Sequence, residues 1–189
     1  MTRRHLHRWW TVVVAGVCLA VTTSASTLLP ADFRTTVLDA TVIVRGRITD
    51  VRAVRSAVGD VETVATVAVD AVLKGQATTF VSMRIPGGTI GRYRTLMPGA
   101  PSVARGEAGV FFLKRAPGGV LWPVGLSSGI YRVATAQGRT MVAPPVMPGV
   151  TTATTGRVVR GDTRRRMLPL SEFESLVALV LGGSQGAAR

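Results

Sequence analysis

Val42-Ile43-Val44-Arg45-Gly46-Arg47-Ile48-Thr49-Asp50-Val51 is the stretch that decides the fold. In an extended chain Val44, Gly46 and Ile48 fall on one side and Arg45 and Arg47 on the other. That period of two marks a half-buried strand with one charged face. A glycine inside such a strand weakens it unless the chain bends there. Gly46 therefore predicts a bulge or sharp bend, the device that curls a sheet into a barrel.

Reading downstream, Ser56 to Asp60 predicts a polar hairpin into a second strand, Val61 to Leu73. Val67, Val69, Ala71 and Leu73 share one of its faces, and Thr66, Ala68 and Asp70 the other. Lys74-Gly75 supplies the turn. Phe80 to Ile85 predicts a third strand with Val81, Met83 and Ile85 inward and Ser82 and Arg84 outward. Pro86-Gly87-Gly88 then opens a long loop reaching Gly106. Loops of that length are usually functional or mobile. Gly109 to Leu113, Val120 to Gly125 and Ile130 to Ala134 are short apolar runs with Gly/Pro punctuation, and Thr140 to Ala143 predicts a brief edge strand. Upstream, Pro30 to Ala40 predicts a short helix. Five to seven short strands with a bulged first strand suit a mainly β fold, either a small, partly open barrel or a sandwich. A five-stranded OB-like barrel over residues 30–143 is the expectation.

Residues 144–169 are rich in Pro, Gly, Thr and Arg and predict an extended connector. Its cluster of Arg157, Arg160, Arg164, Arg165 and Arg166 reads as a solvated face, or else as an electrostatic contact site. A C-terminal helix follows over 170–182. Ser171 and Glu174 form a capping box, Phe173, Leu176, Val177, Val180 and Leu181 form an apolar stripe, and Gly182-Gly183 stops it. The stripe is expected to pack on the barrel, with a partner as the alternative, and 183–189 to be a disordered tail.

The N-terminus has the three parts of a secretory signal. Arg3, Arg4 and Arg8 precede thirteen uncharged, mainly apolar residues, Trp9 to Val21, and small residues follow at Thr22 to Ser26. Thirteen residues fall short of the roughly 20 that span a bilayer. Residues 1–26 are thus expected to be cleaved on export to the periplasm or medium, leaving no stable membrane span. Cys18, His5 and His7 are the only cysteine and histidines, and all three leave with that segment. The remainder lacks the residues for disulfides, for thiol or imidazole catalysis, and for nearly all zinc sites. Carboxylate, Lys, Tyr or Ser chemistry is left.

The formal charge is +13, from 23 basic and 10 acidic residues. Removing Arg3, Arg4 and Arg8 leaves 20 against 10, or +10. A field of that sign favours anionic partners, which outside the cytoplasm are envelope polymers, lipid headgroups or acidic proteins. The basic stretches carry no interleaved aromatics to stack bases, so nucleic acid is not an expected partner.

Gly87-Gly88 with Gly91 does not continue into the Gly-Lys-Ser/Thr of a phosphate loop, and no cofactor is expected. Glu107 reads as a partner for Arg84 or Arg132. The candidate binding residues are Gly87, Gly88, Arg92, Tyr93 and Arg94 in the long loop, together with Trp122, because Arg, Tyr and Trp are frequent contact anchors. The alternative is that Tyr93 covers one barrel end and Trp122 fills the core.

Three blocks carry a resemblance: Ala40 to Ile48, Val67 to Gly75, and Ile85-Pro86-Gly87-Gly88. With Gly106-Glu107, Phe111-Phe112-Leu113, Val124 to Gly129 and Tyr131-Arg132-Val133 they resemble a family of uncharacterised exported bacterial proteins over residues 38 to 135. That family commonly has Ala-Asp where this chain has Ala40-Thr41. The first two blocks also resemble, more distantly, the netrin-like OB barrel of tissue inhibitors of metalloproteinases. This likeness implies the fold but not the inhibitory mechanism, which uses an N-terminal cysteine and disulfides. The expected function is an exported, non-enzymatic binding module that engages a secreted protease or an envelope component through loop 86–106. A carboxylate-dependent secreted hydrolase and a structural envelope protein are the alternatives.

Overall fold

The strand that begins at Val42 runs on to Arg55 in the computed structural model, which describes residues 31–56, 58–136, 138–145 and 167–186. The segment read as a signal peptide, the arginine cluster at 157–166 with most of the connector, and the last three residues lie outside the described residues. Strand β1 (Val42–Arg55) pairs antiparallel with β2 (Val61–Lys74) from Arg55↔Val61 to Ile43↔Lys74 across the Ser56–Asp60 hairpin. The register shifts between Ile43/Val44, Arg45/Gly46 and Ile48/Asp50. The bend at Gly46 is therefore real, and the second shift leaves Asp70 as the extra residue on β2. A side chain at 46 has no room. Its Cβ would meet the Ala68 carbonyl oxygen head-on and lie 2.7 Å from Val67 Cγ1.

Each extra residue swaps the faces of the residues after it. Val67 and Val69 accordingly pack into the barrel, but Leu73 packs outside it against the helices. The single alternating face expected for Val67 to Leu73 is broken by the bulges.

Strands β3 (Phe80–Pro86), β6 (Ala108–Arg115) and β7 (Leu121–Pro123) complete a closed five-stranded barrel in the order β1-β2-β3-β7-β6, with β6 returning to β1. Strands β3 and β7 run parallel and meet only at Met83↔Leu121. This is a small OB-like barrel with a C-terminal helix. The sheet extends from β6 through β8 (Ile130–Ala136) and β9 (Arg139–Ala143) to β10 (Leu168–Pro169). Thus β9 is not the edge, and the expected connector ends in a two-residue strand.

Two cores share the barrel wall. Val44, Ile48, Val67, Met83, Ile85, Phe111 and Leu113 fill the barrel. Outside it, α1 (Ala31–Asp39) and α2 (Leu170–Gly186) bring Phe33, Val37, Phe173, Val177 and Val180 onto Ile43, Val110, Phe112 and Val142. The helix stripe thus packs on the barrel. Phe111 and Phe112 are successive strand residues, so one enters each core. Phe33, Phe112, Tyr131 and Phe173 form a ring cluster with centroids 4.9 to 6.2 Å apart, mostly edge-to-face. Burying one such side chain contributes roughly 1.5–3 kcal/mol, against about 0–1 kcal/mol for a solvated ion pair. The apolar seam, not charge, holds the helices.

Charge and hydrogen bonds set the helices' register instead. Arg45 Nε donates to Glu174 Oε1 at 2.9 Å, and its guanidinium lies 3.8 Å from Asp70. The expected capping box is replaced by this contact: α2 already begins at Leu170, and Glu174 turns onto the sheet. Neither Gly182 nor Gly183 adopts a positive φ, so no left-handed stop forms and α2 continues to Gly186. Lys74 Nζ donates to the carbonyls of Val37 and Leu38 at 2.8 and 2.9 Å. It caps a helix whose own last turn has no basic residue. Burial holds the Lys74 ammonium below its ordinary pKa, against the opposing pull of the Asp39 carboxylate. Thr41 Oγ1 accepts the Arg115 backbone N–H at 2.6 Å, so a hydroxyl stands at the start of β1.

Candidate functional site

The stretch expected to be one long loop has two different halves. Gly87 turns with φ +90°, its N–H donating to Val61 O at 3.0 Å and its carbonyl accepting Thr63 Oγ1 at 2.8 Å. Gly88 lies so close to β2 that a Cβ would sit 2.8 Å from Thr63 Oγ1. That approach seats a two-stranded hairpin, β4 (Gly88–Ile90) and β5 (Tyr93–Thr95), with Gly91-Arg92 at its tip. The second half is fastened down. Ala100 and Val103 pack on the barrel core, Arg132 donates to Ser102 O at 2.7 Å, and Gly106 N–H donates to Ile48 O at 2.7 Å.

The hairpin places Arg92, Tyr93 and Arg94 together in solvent. Gly91 to Pro98 are exposed without a break. The Arg92 guanidinium lies 5.2 Å from the Tyr93 ring centroid and donates to its hydroxyl at 3.1 Å. Arg55, from the end of β1, lies 5.6 Å from the same ring and donates to Gly59 O at 3.3 Å. Two hairpin tips, at 56–60 and 91–92, are thereby brought side by side. Guanidinium contacts of this kind are worth roughly 0.5–1 kcal/mol at exposed sites, enough to bias the Tyr93 ring but not to bury it. Among the described residues none of Arg55, Arg92 and Arg94 meets a carboxylate.

Gly87 and Gly88 shape the turn and the close approach, so their part is to position the hairpin. Tyr93 does not cover a barrel end. Trp122 is half-buried on β7 opposite Lys114, belongs to neither core, and is not joined to the hairpin by any described contact. Sequence reasoning missed Arg55, Leu96 and Met97. The last two did carry a sign, being large apolar residues in a Pro/Gly-rich loop.

Elsewhere four of the described acids are engaged by arginine. Arg84 pairs with Glu62 at 2.9 Å, Arg132 lies 3.8 Å from Glu107, and Asp70 and Glu174 converge on Arg45. Of the two arginines proposed for Glu107, Arg132 is the partner. Among the described residues no three His, Cys, Asp or Glu side chains come together as metal ligands, and no helix is long and apolar enough to cross a membrane. An open groove lies at the start of β3, lined by Gln76, Thr78, Phe80, Ser82, Arg115 and Leu121. The hairpin follows the other end of that strand. No family profile, curated protein or solved structure matches the chain.

Proposed function

We propose that the protein is an exported, non-enzymatic binding module that engages a protein or envelope component through the β4–β5 hairpin. The observation that carries this reading is the unbroken exposure of residues 91–98 around Tyr93, whose ring is held by Arg92 and Arg55. Tyrosine and arginine are among the residues that most often anchor contacts, and a hairpin already seated on the barrel spares the backbone part of the ordering cost. Glu62, Asp70, Glu107 and Glu174 lie against arginines, so these four are not free to act as a hydrolytic pair. Export rests on the three-part N-terminal segment. The netrin-like resemblance adds secreted proteases to the partner classes by fold analogy alone.

Replacing Arg92, Tyr93 and Arg94 together by alanine tests the reading. Because all three are exposed, the unfolding midpoint should stay within a few degrees of wild type. Co-purification from the native envelope should lose the partners that the unchanged protein retains. Recovery of the same partners by the variant would reject the hairpin as the contact surface.

A further inference from the structure

The chemistry of the two tips is narrower than "a protein or envelope component". Val58 is 83% exposed at one tip, and Tyr93, Leu96 and Met97 are 53%, 72% and 47% exposed at and beside the other. Segment 86–106 contains Arg92, Arg94 and Arg105 and no Asp or Glu. Across both tips the only carboxylate is that of Asp60, against the three cations of Arg55, Arg92 and Arg94. Single exposed apolar residues are ordinary, but clustered ones mark contact sites. A tyrosine flanked by arginines, beside protruding aliphatic side chains, is the composition of a membrane–water interface: the rings and aliphatics enter the headgroup boundary and the cations stay at phosphate level.

We infer that the adjoining segments 55–60 and 91–98 dock on a bilayer rich in anionic phospholipid, with Arg55, Arg92 and Arg94 over the headgroup phosphates and Tyr93, Leu96 and Met97 inserted beside them. The inference rests on the hairpin's being the contact surface. A lipid surface fits better than an acidic protein because the exposed apolar groups are separate protrusions, Val58 in one turn, Tyr93 in β5 and Leu96 and Met97 just after it. A fluid interface accepts such protrusions without a matching pocket, whereas protein hot spots need well-packed pockets on the partner. Attachment of this kind is peripheral and needs no spanning helix.

The test uses the chain from residue 27, which keeps every described element and omits the apolar Trp9–Val21 run. Flotation is measured with vesicles of phosphatidylcholine alone and of phosphatidylcholine mixed with phosphatidylglycerol. Binding should appear with the anionic vesicles only and weaken with salt. Inorganic phosphate at matched phosphate concentration should not displace it, which separates a bilayer from a free-phosphate site. Arg92→Ala with Arg94→Ala should weaken binding roughly 30-fold, since each cation near an anionic surface is worth about 1 kcal/mol. Leu96→Ser with Met97→Ser should weaken it about tenfold or more, with both variants melting like wild type. No binding to anionic vesicles, displacement by inorganic phosphate, or binding indifferent to both double variants would overturn the inference. If vesicles fail but the triple alanine variant still loses a protein partner from the envelope, the lipid assignment falls and the hairpin reading stands. If neither experiment responds to the hairpin, both fall.

Discussion

Gly46→Ala should destabilise the barrel by about 2–3 kcal/mol, and Gly46→Val should prevent folding altogether. The reason is geometric. The added Cβ would strike the Ala68 carbonyl oxygen and Val67 Cγ1, and neither can give way, because both strands are locked in the β1–β2 ladder on either side of the bulge. Urea unfolding checks this: the midpoint should fall while the slope holds, since the surface exposed on unfolding is the same. Gly182→Ala is the matched control. That glycine lies in α2 with open space around its Cα and no positive φ, so alanine there should stabilise by up to about 1 kcal/mol. Equal responses at the two positions would mean that the close approach at Gly46 is not what fixes the bend.

Phe112→Ala should cost about 3–5 kcal/mol, a large share of the roughly 5–15 kcal/mol typical of a domain. Phe112 is fully buried and meets Phe33, Phe173 and Tyr131 with ring centroids 6.1, 6.2 and 5.2 Å away. Truncation leaves a cavity between the barrel wall and both helices, whose attachment depends mainly on this seam. Hydrogen exchange should therefore show α2 amides opening at lower free energy than those of β1 and β2. A loss below about 1 kcal/mol, outside the range for buried aromatics, would contradict the assignment of helix docking to this cluster.

The barrel was legible in the sequence because its strands alternate, and because Gly46 announces a bend by sitting where a side chain is expected. What alternation could not show was which strand carries the extra residue. Asp70 is extra only with respect to Arg45 and Gly46 across the ladder, so the reversal at Leu73 belongs to a pairing, not to a strand read alone. The run Val110 to Leu113 shows no period of two because both of its faces are buried, one in each core. The capping-box pattern at Ser171 and Glu174 does not form: Arg45, remote in sequence, offers Glu174 a charged hydrogen bond in place of a backbone N–H.

The site was half legible. Arg92, Tyr93 and Arg94 stand out as charged and aromatic residues within a Pro/Gly-rich stretch, and the structure keeps them exposed on one hairpin. The hairpin itself was hidden because strands of three residues are too short to display a period. Arg55 could not be read as part of the site. It reaches Tyr93 only because Gly88 lets β4 lie against β2, which brings the second tip beside the first. Trp122 had composition in its favour and no position to match.

The central claim is that contact with the outside is made through the exposed segment 91–98, while the helical face serves the fold. Site-specific photo-crosslinking in living cells tests it most directly, with the photoreactive side chain placed at position 93 or at position 179, an exposed site on α2. Crosslinked adducts, to protein or lipid, should form from position 93 and not from position 179. Adducts from position 179 with none from position 93 would contradict the claim.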